Sequence, residues 1–176
     1  MEYIRRVSRF FLTRRMAMKV SRLVLVLAFA APAATLGAIR ASAASNLTLA
    51  PGLSFDDDTS PHFPIQGSNL PEGSITPGRA TIIFFGTSNC WNTAREAERL
   101  VKLYPRYRDR VSFVVVDLHN IGPEQQELVT LYYRGYIPTI VAINSHGDVL
   151  YDQAGETSAN RGDTANLQRL LDDTVH

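Results

Sequence analysis

The chain has 176 residues, enough for one domain with a tail, and an ordinary globular composition that argues against general disorder. Its formal charge of +1 hides an asymmetry: residues 1–43 hold eight of the 18 Lys and Arg and one of the 17 acids, so residues 44–176 carry ten bases against 16 acids, a net of −6. A mildly acidic main part leaves no electrostatic footprint for nucleic acid, and His62, His119, His146 and His176 are too scattered for a metal site, so neither a metal nor another cofactor is expected.

A basic stretch from Arg5 to Arg22 precedes an apolar run from Leu23 to Ile39, and Ala41-Ser42-Ala43 supplies small residues for cleavage. This is the three-part pattern of a secretory signal, with cleavage expected after Ala43. The basic part is long, and Met16 and Met18 are alternative starts. An uncleaved membrane anchor and a mitochondrial presequence are the rival readings. Pro32 and the alanine-rich second half weaken the first, and the long apolar continuation weakens the second. The expectation is an exported protein, periplasmic or extracellular, attached to a membrane only if the segment is retained. Residues 44–78 are rich in Pro, Gly, Ser and Asp and read as a flexible linker, with Leu53-Ser54-Phe55 as the one patch suited to a short strand or core contact. Residues 79–176 form the domain.

The domain alternates strands and helices. Thr81–Phe85 is an apolar run that fits a strand buried on both faces. Gly86 to Asn89 turn the chain, Asn89 is the expected N-cap, and a helix runs from Cys90 to Tyr104, where Pro105 stops it. Val111–Asp117 is a second strand. Pro123 opens a helix to Tyr133 with Leu128, Leu131 and Tyr132 facing inward. Thr139–Asn144 is a third strand, and Ser145-His146-Gly147-Asp148 turn it into a fourth, Val149–Gln153. Asp163 or Thr164 caps a last helix with Leu167, Leu170, Leu171 and Val175 inward. The order β-α-β-α-β-β-α gives an α/β fold with a mixed four-stranded sheet flanked by helices.

Cys90 is the only cysteine in the chain. At the start of a helix it faces unpaired N–H groups and the positive end of the dipole, which favours thiolate and hence a nucleophile. The competing reading is a small buried hydrophobe. An exported chain with one cysteine has no internal disulfide to form, so its thiol is free, capped or paired with another molecule.

Two stretches resemble the thioredoxin superfamily. In ATIIFFGTSNCWNT, residues 80–93, Cys90-Trp91-Asn92-Thr93 stands where the family has Cys-x-x-Cys. In YYRGYIPTI, residues 132–140, followed by Gly147 and Gly155, the chain resembles the family's segment around its cis-proline. The likeness covers roughly Arg79–Val175 and implies a thioredoxin-like fold, a cis Ile137–Pro138 bond and Pro138 lying against Cys90. The departures are specific. Thr93 replaces the resolving cysteine, Asn89 the usual tryptophan, Phe84 the buried acid and Asn92 the proline of the motif. A dithiol reductase expels its mixed disulfide with a second thiolate, which Thr93 does not have. Its hydroxyl is instead expected to donate a hydrogen bond to the Cys90 sulfur.

Three functions follow from this resemblance. The first is monothiol thiol–disulfide exchange, with Cys90 attacking protein disulfides and an external thiol, glutathione or a partner's cysteine, resolving the adduct. Trp91, Ile137 and Pro138 would then hold the substrate chain. The second is a non-catalytic binding or chaperone module in which Trp91 is an exposed contact residue; the bland reading of Trp91 is a helix residue half-covered by the linker. The third is a peroxide-reducing thiol, since Thr87-Ser88-Asn89-Cys90 has T-x-x-C spacing, although Ile83 stands where peroxiredoxins carry a proline.

Overall fold

The structure, a computed structural model, describes residues 43–176. The signal segment, including its rival readings and alternative starts, lies outside the described residues apart from Ala43.

Among the described residues six strands and three helices follow one another. They are β1 (Ser45–Leu49), β2 (Ile65–Ser68), β3 (Thr81–Gly86), α1 (Trp91–Tyr107), β4 (Ser112–Asp117), α2 (Gln126–Tyr132), β5 (Thr139–Ile143), β6 (Val149–Ala154) and α3 (Thr164–Thr174), with a single 3₁₀ turn at Pro123–Gln125 leading into α2. The main sheet has the order β4-β3-β5-β6. β3 and β4 run parallel, as a connection through a helix requires, while β5 pairs antiparallel with both β3 and β6.

Side-chain parity in the strands sorts the core into two layers. Ile82, Phe84, Phe113, Val115, Ile140 and Ala142 face α1 and α3, meeting Ala97, Leu100, Leu167 and Leu171. Ile83, Phe85, Val114, Val116, Val141 and Ile143 face the other way, with Leu128 of α2. β3 is buried along its whole length because helices cover both faces of the sheet.

The segment 44–78 is part of this body and corrects the expectation of a flexible linker. β1 and β2 form an antiparallel pair, and Ala44, Leu47 and Ile65 enter the same core layer as α1. The Ala44 N–H donates to Phe113 O at 2.8 Å, and the Tyr104 hydroxyl accepts from the Asn46 N–H at 3.0 Å. Gly, Pro and Asp interrupt the segment often enough to mask its apolar residues, yet those residues are spaced to reach the core. The strands fall on either side of Leu53-Ser54-Phe55, which itself is in no strand.

One helix end and one facing residue also differ. α1 passes through Pro105 and ends at Tyr107. An interior proline costs about 3 kcal/mol. Here that cost is offset by full burial of Tyr107, whose hydroxyl donates to Asp172 Oδ1 at 2.6 Å. Leu131, expected inward on α2, is 49% exposed because the seven-residue helix seats itself through Leu128, with Val129 and Tyr132 partly buried against the same layer, and Leu131 lies off that face. The last helix starts as expected: Asp163 caps it, accepting from the Ala165 N–H at 2.9 Å.

Candidate functional site

β3 delivers the site. Its last residue, Gly86, pairs with Asp117 of β4, and the preceding Phe85 pairs with Thr139 of β5. Extending that antiparallel register sets Pro138 opposite Gly86. The turn 87–90 leading to Cys90 and the entry of β5 therefore share one end of the sheet. The Ile137–Pro138 bond is cis. Pro138 is buried and its carbonyl accepts from the Gly155 N–H at 2.9 Å, whereas Ile137 is 40% exposed. Tyr136 and Leu131 are also exposed, and with Ile137 they make up the exposed large apolar side chains of residues 131–137.

Cys90, not Asn89, is the N-cap of α1, with φ −142° and ψ 108°. Asn89 turns the chain through φ +55°, a conformation asparagine tolerates better than most residues. The Cys90 carbonyl accepts the first helical bond, from the Ala94 N–H at 3.0 Å. Cys90 is a free, half-buried cysteine rather than a core residue.

The helix N-terminus has a partner of its own. The Trp91 N–H donates to Asp58 Oδ1 at 2.9 Å, so a carboxylate occupies the positive end of α1. The loop carrying Asp58 is tied down around it. The Asn89 N–H donates to Ser60 O at 3.2 Å, and Arg95 donates through Nε to Phe55 O at 2.6 Å and pairs with Asp56 at 3.1 Å. Trp91 is half-buried, with the guanidinium carbons of Arg95 and Arg161 at 5.0 and 4.6 Å from its ring centroid. It is thus partly covered by the loop's anchoring arginine, close to the bland alternative and away from a fully exposed contact residue.

Thr93 is fully buried and its Oγ1 has no hydrogen-bond partner among the described residues. The expected hydroxyl–sulfur bond to Cys90 is not made. The methyl side explains the rotamer: a Cβ on Gly86 would lie 2.5 Å from Thr93 Cγ2 and 2.9 Å from the Phe84 ring, so Gly86 makes room for both. Thr93 packs the helix on the strand.

Two residues near the turn escaped sequence reasoning. Ser88 Oγ and His119 Nδ1 lie 3.1 Å apart, linking the Cys90 turn to the loop after β4. A second group, Glu96, Arg99 and Glu156, is a buried charge cluster reaching from α1 to the loop after β6. Arg99 Nη2 pairs with Glu96 and with Glu156 Oε2, the latter at 2.6 Å, and Arg161 Nε lies 3.5 Å from Glu156. Burial pushes the Glu96 carboxyl above its ordinary range, against the pull of the Arg99 guanidinium. The only sequence signal for this cluster was the i,i+3 spacing of Glu96 and Arg99, which is common on solvated helix faces. Among the described residues no group of three His, Cys, Asp or Glu is arranged to hold a metal, and no helix is long and apolar enough to cross a membrane.

A parallel β3–β4 pair, two antiparallel strands after it, α1 and α3 on one face and α2 on the other together decide the architecture. The fold is thioredoxin-like. No family model matches the sequence, and no curated protein does. Solved structures similar to the thioredoxin-like domain include a thioredoxin of Malassezia sympodialis, 18% identical over 57% of this chain and 78% of that one, with a TM-score of 0.44. Mitochondrial thioredoxin 3 of Saccharomyces cerevisiae is 19% identical over 53% and 77%, with a TM-score of 0.41. The germline-specific thioredoxin Deadhead of Drosophila melanogaster is 16% identical over 55% and 81%, with a TM-score of 0.42. At these scores the assignment of the thioredoxin-like domain stands on its own topology.

Proposed function

We propose that this protein is exported and carries out monothiol thiol–disulfide exchange through Cys90. One observation supports the reading above the others. The chain's only cysteine is half-buried at the N-cap of α1, at the end of the sheet where Pro138 enters β5. The Cys90 thiolate attacks one sulfur of a protein disulfide, forming a mixed disulfide and releasing the other sulfur as thiolate. Two equivalents of an external thiol, glutathione or a partner's cysteines, then release first the bound substrate sulfur and afterwards Cys90. The substrate disulfide is reduced and the external thiol is oxidised to a disulfide. The exposed Ile137 and Tyr136, beside Pro138, offer an apolar margin against which an extended substrate chain docks. Thr93 serves this chemistry by packing α1 on Gly86 of β3 rather than as a donor to the Cys90 sulfur.

The basic-then-apolar run of residues 1–43 supports export. Trapping tests the whole reading. Cells expressing the full chain are quenched with acid and resolved without reductant. Mixed disulfides with particular exported proteins, absent from Cys90→Ser, are expected, together with an N-terminus at or within a residue of Ala44. A thiol that forms no adducts contradicts the exchange, and an unprocessed cytosolic chain contradicts the export.

A second reading, a binding module without turnover, is favoured by one contact: the Asp58 carboxylate already occupies the positive end of α1, where it opposes a second negative charge on Cys90. Partner capture that persists in Cys90→Ser would support that reading over the first.

A further inference from the structure

Residues 54–60 close on themselves and onto the Cys90 turn. The Ser60 hydroxyl accepts from the Ser54 N–H at 2.8 Å, and the Asp57 carboxylate accepts from the Thr59 N–H at 3.2 Å. Among the described residues, every hydrogen bond that this loop makes outside itself goes to Asn89, Trp91 or Arg95. Asn89 and Trp91 flank Cys90 directly. The backbone N–H of each donates into the loop, to Ser60 O at 3.2 Å and to Asp58 Oδ1 at 2.9 Å. Arg95, one turn further along α1, holds the start of the loop, with Nε donating to Phe55 O at 2.6 Å and Nη2 to Asp56 Oδ1 at 3.1 Å. Asp56, Asp57 and Asp58 are exposed, so the acidic stretch is held by these bonds and not by burial.

We propose that this loop is a clasp that restrains Cys90, and that Asp58 is a positioning residue acting on the sulfur through the tip of α1. Closed, the clasp sets a carboxylate at the positive end of the helix, beside the one residue whose thiolate that end favours. The Cys90 sulfur hangs from the residue just before the Trp91 N–H, so it lies at most about 8 Å from Asp58 Oδ1. That is inside the screening length of about 10 Å at 0.1 M salt, and a thiolate therefore meets the Asp58 charge. Open, the carboxylate leaves and the helix end serves the thiolate alone. The other charged or titratable groups on the segments meeting this turn are Asp56 and Asp57 of the loop, Arg95 of α1, Arg161 against the Trp91 ring and His119 against Ser88.

The clasp regulates the thiol exchange proposed above and rests on that reading for its purpose. Its test does not: alkylation of the full chain with iodoacetamide, an uncharged probe, reads Cys90 reactivity without any disulfide. Asp58→Asn keeps an oxygen to accept from the Trp91 N–H and removes the charge. It is expected to raise the labelling rate about two- to fivefold near neutral pH. The gain is expected to vanish at alkaline pH, where the thiol is ionised in parent and variant alike. Arg95→Lys keeps the positive charge and loses the Nε–H bond to Phe55 O, so it loosens the clasp and is expected to raise the rate in the same direction. Circular dichroism checks that each variant is folded. An unchanged rate in folded Asp58→Asn, or a gain that persists undiminished at alkaline pH, would overturn the proposal. Faster alkylation of Asp58→Asn with no mixed disulfides in the trapping experiment would keep the clasp and end the exchange reading.

Discussion

Thr93 stands where a dithiol thioredoxin has its second cysteine, and its surroundings decide how the chain is to be altered. It is fully buried against Gly86, with space shaped by its methyl group. A cysteine has about the volume of a threonine, so Thr93→Cys is expected to fold and to gain dithiol disulfide-reductase activity in an insulin-reduction assay. A folded but inert variant would count against thioredoxin-like geometry at this pair. Glu96 sets a different test, because burial holds its carboxyl above the ordinary range. The folded state then binds the proton more tightly than the unfolded state. The contribution to stability is full below the unfolded value and is lost as pH rises through the folded one. Relative to Glu96→Gln, the parent is therefore expected to gain stability between pH 7 and pH 5 in denaturant titrations. A gap that moves the other way would contradict the burial argument.

At the scale of elements, α1 is held at its tip by a residue from outside it. Asp58 accepts from Trp91 N–H, and the loop is pinned through Arg95 and Asn89. Asp58→Ala is expected to lower stability by about 1 kcal/mol, the usual worth of a capping side chain. The change is also expected to alter Trp91 fluorescence as the loop loosens; an unchanged spectrum and midpoint would show that the contact carries no weight. This cap was illegible in the sequence. Asp56-Asp57-Asp58 fell within the stretch read as a flexible linker, because nothing local distinguishes a capping aspartate 33 positions from its helix. By contrast, β3, β4 and β5 were legible to within a residue, since continuous apolar runs bounded by glycine or polar residues leave little choice of period. The path of α1 through Pro105 was not, because tertiary burial of Tyr107 overrode the local stop signal.

For the whole molecule, the consequential error of sequence reading is the segment 44–78. Its breakers imply a spacer, but Leu47 and Ile65 seal the α1 side of the core. A chain beginning at Arg79 is expected to expose that layer and to unfold several degrees lower than the chain beginning at Ala44, since each large apolar side chain returned to water costs about 1.5–3 kcal/mol. Equal melting temperatures would restore the linker reading. The site shows the same division. Cys90, Ile137 and Pro138 could be placed from motif spacing along the chain. Ser88–His119 and the Glu96–Arg99–Glu156 cluster could not, because their partners meet only after the sheet and the loop behind it have formed.

Exchange of Cys90 with disulfides is read from the rate at which the full chain forms a mixed disulfide with an aromatic disulfide probe at neutral pH, followed by release with glutathione. Stoichiometric labelling of Cys90 is expected, at least about tenfold faster than free cysteine, with complete return to the thiol. Labelling no faster than free cysteine, or an adduct that glutathione fails to release, would contradict it.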